Sequence, residues 1–447
     1  MNSRRNFLRT ALSLGSLSAT GGLGRLGLLN AMTQPTGTYR ALVCVFLYGG
    51  NDSNNMVVSL DPTAYTSYKT IRAGLALDSA TLLAIDKNKA YGMHPRFTDL
   101  QAIAPQVAIV ANVGNLVQPV TMDQYIKGLA KLPSNLFSHA DQQAEMQTSV
   151  AGGGSTTGWA GRLADHMPTS NTSTYPMFVS VAGNAIFGVG ANTHPGAVTP
   201  NAAVGLQGFG TDAGSQARLA ALKTLLGQDT QRTDSGAILL KQAARNMNNA
   251  LTDAATLETA LKSATALKTV FPTTSIGQQL FEVAKLIQVR GPLNMNRQIF
   301  FCSLGGFDTH TAQLTDQDRL YLQLSQALGA FYKATEELAV ANQVTTFTES
   351  DFSRTLSPNS NGGTDHAWGS HHIVMGGSVK GATLYGKFPT IKLSGPDDVG
   401  EGRWLPTTSV DQYGATLAQW FGLPASSLSS VFPNINNFTS KDVGFFG

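Results

Sequence analysis

Three segments of the chain end an apolar run in an acidic residue, and chemistry can start from that pattern. The first reads Leu47-Tyr48-Gly49-Gly50-Asn51-Asp52, the second Ser303-Leu304-Gly305-Gly306-Phe307-Asp308-Thr309-His310, and the third Phe347-Thr348-Glu349-Ser350-Asp351-Phe352-Ser353-Arg354. A fourth segment, from Gly362 through Thr364-Asp365-His366 to His371-His372, holds three of the eight histidines. Carboxylate and neutral imidazole are the ligand types of zinc and manganese sites. Asp52, Asp308, His310, Asp351 and His366 are therefore expected to bind metal. A ligating imidazole needs a partner for its second nitrogen, and Asp365 or a backbone carbonyl can serve. One Asp after a glycine pair is usually a turn former or a helix cap. Three such endings beside a histidine-rich loop favour a site instead. His371 and His372 are adjacent, so a strand would point them to opposite faces. His94, His166 and His194 lack acidic or glycine context and read as surface or structural residues.

Two further residues could act on a substrate. Ser138, in Leu136-Phe137-Ser138-His139-Ala140-Asp141-Gln142, stands where a helix would begin, with Asp141 placed as in a capping box. Its hydroxyl is either an N-cap or a nucleophile helped by the positive helix end and a nearby metal. His139 beside it is a further ligand or a base. Arg354 is either a clamp for an anionic substrate oxygen or a salt-bridge partner of Asp351.

These residues need elements to position them. Apolar runs at 41–47, 107–113, 177–181, 298–304, 344–348 and 373–375 predict buried strands. Between them, helical periodicity runs from a cap at Thr315 to about 341 and from a cap at Ser275 to about 289. Residues 212–290 read as a mostly helical insert. Strands alternating with helices predict an α/β fold, a mainly parallel sheet covered by helices on both faces. In such a sheet the ligand site lies beyond the carboxyl ends of the strands. The runs ending at 47, 304 and 348 are expected to be parallel neighbours that carry their acids to one crest.

Composition narrows the function classes. Of 447 residues, 42% are hydrophobic and only 13% charged, against a usual charged share of roughly 25%. A highly charged disordered chain is excluded. The net charge is +3 and no Lys/Arg cluster follows the first thirty residues, which argues against a nucleic-acid partner. Two cysteines, Cys44 and Cys302, exclude a disulfide scaffold and a cysteine-rich metal site; adjacent strands leave both a disulfide and two buried thiols open. Residues 1–33 read as a twin-arginine export signal, with Arg4-Arg5-Asn6-Phe7-Leu8 followed by a weakly apolar, glycine-broken stretch too poor for a transmembrane helix. Removing their four arginines leaves 27 basic against 28 acidic residues, so the basic balance belongs to the signal. The expected partners are the twin-arginine export machinery and an anionic ester. The mature chain, with no transmembrane span, is expected in the periplasm or outside the cell. No Cys-x-x-Cys, haem motif or dinucleotide fingerprint supports a redox protein.

The ordered motifs resemble an exported bacterial family catalogued as domain of unknown function 1501, in the alkaline phosphatase/sulfatase-like superfamily. The resemblance spans about 38–425 and rests on Phe46–Asp52, Ser138-His139-Ala140-Asp141-Gln142, Gly305–His310, Ser350–Thr355 and Gly363-Thr364-Asp365-His366. It implies one alkaline phosphatase-like domain over 38–447. It further implies metal at the carboxyl ends of the sheet, held by Asp52, Asp308, His310, Asp351 and His366, with Ser138 as nucleophile. Phe352 stands where the superfamily commonly has a histidine, so zinc, manganese or calcium is expected as two ions, one or none. The resemblance implies a metal-dependent hydrolase of phosphate or sulfate esters; the rival is an inactive cell-envelope binding protein of the same fold.

Overall fold

Residues 41–47 are apolar and fully buried at every position, as a strand covered on both faces requires. This strand, β1 (Arg40–Tyr48), lies at the centre of a nine-stranded sheet in the computed structural model, which describes residues 39–447 apart from 86–87, 203–204 and 206–207. The export-signal reading of residues 1–33 falls outside the described residues. The other strands of the sheet are β5 (Val107–Gly114), β6 (Phe178–Ser180), β7 (Gly196–Ala197), β8 (Arg297–Gly305), β9 (Val344–Ser350), β10 (Ser370–Met375), β11 (Thr383–Tyr385) and β12 (Thr408–Ser409). Their order is β11-β5-β10-β9-β1-β8-β6-β7, with β12 paired to β5. A small separate sheet joins β2 (Val57–Ser59), β4 (Tyr91–Met93) and β3 (Leu83–Ala84). Strands of two or three residues leave no periodicity to read, and the sequence did not announce them.

β1 is parallel to β8 and to β9, with Tyr48 beside Gly305 and Leu47 beside Ser350. The three acid-terminated runs are thus neighbours, as their shared pattern predicts. β10 is the exception to the parallel rule, running antiparallel between β5 and β9. After β9 the chain crosses the crest through residues 351–369 and returns to the adjacent position without a crossover helix. A direct return forces the antiparallel direction.

Alternation along β1 divides the core. Ala41, Val43, Val45 and Leu47 pack with Ile276, Leu280, Val283, Leu320 and Leu324 of the helices Ser275–Gln288 and Gln313–Glu337. Leu42, Cys44 and Phe46 pack with Trp159, Leu163, Tyr413 and Leu417 of the helices Trp159–Asp165 and Val410–Phe421. Two helix starts shift from the sequence reading. Thr274, not Ser275, caps its helix by accepting from the Gly277 amide, and the second helix begins at Gln313, before Thr315. Helices Ala213–Thr230 and Ile238–Leu261 occupy the part read as helical. Among the described residues no helix is long and apolar enough to cross a membrane.

Cys44 and Cys302 sit on the adjacent strands β1 and β8, yet each packs into a different face of the sheet, and both are free thiols. His371 and His372 also take opposite faces of β10. His371 accepts from the Asn112 amide and packs on Phe388, while His372 stacks on Tyr413. Burial holds both imidazoles neutral, near a pKa of about 3.

Asp411, at the start of the last long helix, provides a stability test. Burial raises its carboxyl to about 6, although Asn434 and Ser409 donate to it. The folded state therefore holds this proton more tightly than the unfolded chain. The stability it contributes is complete below about pH 4 and is lost as pH rises through 6, a change of about 3 kcal/mol. Asp411→Asn should abolish that loss. Urea unfolding from pH 4 to 7 checks it: the wild-type–variant difference must change with pH, and a constant difference would refute the assignment.

Candidate metal centre

The strand ends deliver their residues to the crest through glycine turns. After β1 the chain turns at Gly49 and Gly50, with φ of 112° and 78°. A Cβ on Gly49 would lie 2.4 Å from the Asp308 backbone nitrogen, and one on Gly50 would lie 2.4 Å from the Phe352 ring. Only glycine lets the exits of β1, β8 and β9 approach this closely. Gly363 does the same for the histidine-rich loop: its Cβ would lie 2.2 Å from the His310 carbonyl carbon. The Thr364 amide donates to the Thr309 carbonyl at 3.1 Å, and Asn359 Nδ2 donates to the His310 carbonyl at 3.0 Å. His366 forms a β-bridge with Arg354, which fixes the loop's other side. His139 opens the helix His139–Thr148.

Three imidazoles converge on one carboxylate oxygen. Asp308 Oδ1 lies 3.0 Å from His310 Nε2 and 3.4 Å from each of His139 Nε2 and His366 Nε2. His310 Nε2 and His366 Nε2 are 3.1 Å apart. The ligand atoms of His139, Asp308 and His366 all lie within 4.8 Å of one another.

The other ring nitrogens decide what these atoms are. His139 Nδ1 faces Asp351 Oδ2 at 2.7 Å, His310 Nδ1 faces Asp365 Oδ1 at 3.0 Å, and His366 Nδ1 faces the Phe137 carbonyl at 2.7 Å. All three partners are acceptors, so each Nδ1 carries the hydrogen, and each neutral ring presents a bare Nε2 lone pair. His139 Nε2 is buried and makes no hydrogen bond. Three lone pairs and a carboxylate oxygen thus face each other with Arg354 as the adjacent donor. Ligand atoms about 2.0–2.1 Å from a tetrahedral ion stand roughly 3.3 Å from each other; Asp308 Oδ1 stands 3.0–3.4 Å from each Nε2, and the group compact enough to share one ion is His139, Asp308 and His366, with His310 at its edge. The donor set fits a divalent cation.

Two expected ligands lie elsewhere. Asp52 is fully buried, paired with Arg72 and bonded by Gln313 Nε2, and its other oxygen accepts from the Asn54 amide. Its carboxylate is therefore a helix cap and half of a buried ion pair, outside the cluster. Asp351 orients His139 rather than joining the ring of Nε2 atoms; it accepts from the Gly49 amide and from Gln143 Nε2. Arg354 was read as a substrate clamp or a partner of Asp351. Its guanidinium is buried and points to Asp308 Oδ1, at 2.7 Å, and to Thr364. Its donors meet these protein acceptors, and its ion pair is with Asp308 instead of Asp351. Ser138 is the N-cap residue, but its hydroxyl makes no capping hydrogen bond. It stands between Phe137 and His139, both of which touch the cluster. His139 was only a secondary suspicion in the sequence; its place directly after Ser138 was the signal that could have raised it.

Charge follows this geometry. Burial would raise the Asp308 carboxyl, but the hydrogen bond and charge of Arg354, helped by His310 and His139, outweigh it and hold it below the usual range. The hydrogen bond that His139 donates to Asp351 raises the proton affinity of His139, whereas burial lowers that of His366. The Asp308 and His310 side chains are 46% and 42% exposed, so the cluster opens to solvent.

The chain course has counterparts among solved structures. PsFucS1 sulfatase from Pseudoalteromonas sp. is 10% identical, with 91% of this chain and 72% of that one covered and a TM-score of 0.35. Ps i-CgsB is 9% identical over 90% and 77%, with a TM-score of 0.34. The lipoteichoic acid synthase LtaP from Listeria monocytogenes is 7% identical over 88% and 74%, with a TM-score of 0.33. No curated protein matches the sequence. Residues 39–422 match a family described as protein of unknown function (DUF1501), and the chain belongs to that family.

Proposed function

We propose that the chain is an exported, metal-dependent hydrolase of phosphate or sulfate esters, with Ser138 as the nucleophile. The observation that carries this reading is the convergence of three tautomer-fixed Nε2 atoms on Asp308 Oδ1. A nitrogen-rich donor set with one carboxylate suits zinc better than calcium. The partial exposure of Asp308 and His310 suits a catalytic site, which keeps a position open, better than a closed structural one. When bound, the ion supplies Lewis-acid polarisation of the ester and stabilises the charge that develops on it. The motifs' resemblance to the alkaline phosphatase/sulfatase-like superfamily supplies the reaction class.

In this reading Ser138 Oγ attacks phosphorus or sulfur and its proton passes to solvent. The ester oxygen leaves and is protonated to an alcohol. Water then cleaves the serine ester, releasing phosphate or sulfate and restoring the hydroxyl. Asp351, Asp365 and the Phe137 carbonyl hold the three imidazoles in one tautomer throughout. Arg354 positions Asp308.

A second reading has a specific observation behind it. Asp308 is already paired with Arg354, and Asp52 with Arg72, as in a catalytically inactive envelope protein that binds a partner at the crest. Elemental analysis of the purified chain, followed by aryl phosphate and aryl sulfate assays, separates the two. The hydrolase reading expects bound metal and turnover, with Ser138→Ala removing turnover and leaving the metal in place. Absence of both metal and turnover in the wild type would leave the binding protein.

A further inference from the structure

We propose that the centre takes one cation per chain, and that the Arg72 guanidinium holds the carboxylate that would otherwise serve a second. This rests on the metal-dependent reading above and fixes its ion count.

Asp52 is the acid at the end of the central strand, where a second cation would need a ligand. Its side chain and that of Arg72 are both fully buried. Oδ2 meets the Arg72 guanidinium and Gln313 Nε2, and Oδ1 accepts from the Asn54 amide at 3.0 Å. A carboxylate offers about four lone-pair sites, and these donors take three of them. A dication arriving here would face a guanidinium at contact distance, and the two would repel. It could bind only by displacing Arg72. That guanidinium also donates to Asn55 Oδ1 at 3.1 Å, to the Thr355 carbonyl at 2.8 Å and to the Leu356 carbonyl at 3.1 Å. Displacement would strand all of these buried groups.

The acid at the end of β9 is committed as well. Asp351 spends one oxygen on the Gly49 amide and the other on His139 and Gln143. Glu349 is buried on the opposite side of β9 from the small polar residues of the crest, beside Trp159. Among the described residues the metal-sized group is that of His139, Asp308 and His366; Asp52 lies outside it, and His310 borders it.

Asp52 still reaches the centre, through an amide. Its contact turns Gln313 Nε2 inward, so Gln313 Oε1 accepts from the hydroxyls of Thr309 and Thr364. Thr364 in turn accepts from Arg354, which holds Asp308. Asp52 and Arg72 are thus positioning residues for a one-ion centre.

The test is stoichiometry. The full chain is exposed to excess zinc, dialysed, and examined by native mass spectrometry and elemental analysis. A Co(II) titration is followed by its absorption band. One ion per wild-type chain is expected, with the titration breaking at one equivalent. The Asp52→Leu/Arg72→Met double variant, which replaces both charges with apolar side chains, should still bind no more than one ion, held less tightly as the Gln313–Thr364–Arg354 relay slackens. His139→Ala/His366→Ala should lose the ion. Two ions in the wild type, or in the folded Asp52→Leu/Arg72→Met variant, would overturn the proposal. The wild-type titration decides the count even where the double variant does not fold. A wild type that binds no ion refutes the hydrolase reading itself, a result distinct from a wrong count.

Discussion

Replacing His139 with alanine should strip zinc from a chain that remains folded, weakening binding by more than about 100-fold. The scale comes from a comparison within the site. Substituting a residue that only orients a ligating imidazole typically costs about 10–100-fold in metal affinity. Asp351→Asn should fall in that range, because asparagine can still accept from His139 Nδ1 but brings no charge to it. Loss of the imidazole removes a coordinating atom and must cost more. Competition with protons adds a signature, since Asp351 raises the affinity of His139 for a proton. Binding should therefore weaken as pH falls, and less steeply once Asp351 is neutralised. Competition titrations with a zinc chelator across a pH series measure both effects. Equal affinities for the wild type and His139→Ala would remove His139 from the centre.

Arg72→Ala should destabilise the protein by about 3–5 kcal/mol, the usual effect of leaving one member of a buried ion pair alone. The side chain sits under the crest, and its loss uncovers the Asp52 carboxylate together with the Thr355 and Leu356 carbonyls. Replacing both partners by apolar residues of similar volume should cost far less, because no charge is then stranded. Denaturant unfolding of the single and double variants gives the comparison. A single variant within about 1 kcal/mol of the wild type would mean that water reaches Asp52 and that the pair is not sealed.

The sheet was legible because the physics that forms it is local. Residues 41–47 are an uninterrupted apolar run, 298–304 and 344–348 are mainly apolar or β-branched, and each is followed within two residues by a glycine or an acid, which is what a strand buried on both faces needs. The glycine pairs were legible for the same reason, since positive φ and close approach leave a mark on residue type. The residues of the candidate centre were legible only in part. Asp308, His310 and His366 have sequence contexts that announce them. Asp52 has the same context and a different fate, decided by Arg72 and Gln313, which lie 20 and 261 residues away. No spacing rule reports a distant guanidinium. Asp351 and His139 exchanged roles in a comparable way. Both stand at element ends facing the crest, and which of them turns inward depends on the Gly49 amide and Gln143, again supplied from elsewhere. Pattern located the crest; the pairing of charges across it set the roles.

The placement of the two thiols on opposite faces of the sheet has a consequence for where the chain can fold. Cys44 and Cys302 are one register position apart across the β1–β8 pair, yet they point to opposite faces of the sheet. They are the chain's two cysteines, so no covalent crosslink within it waits on an oxidant. The fold draws on packing, ion pairs and hydrogen bonds that are the same under reducing and oxidising conditions. It can be completed on one side of a membrane and persist on the other without exchange chemistry, and an oxidative burst finds both sulfurs already sealed in hydrocarbon.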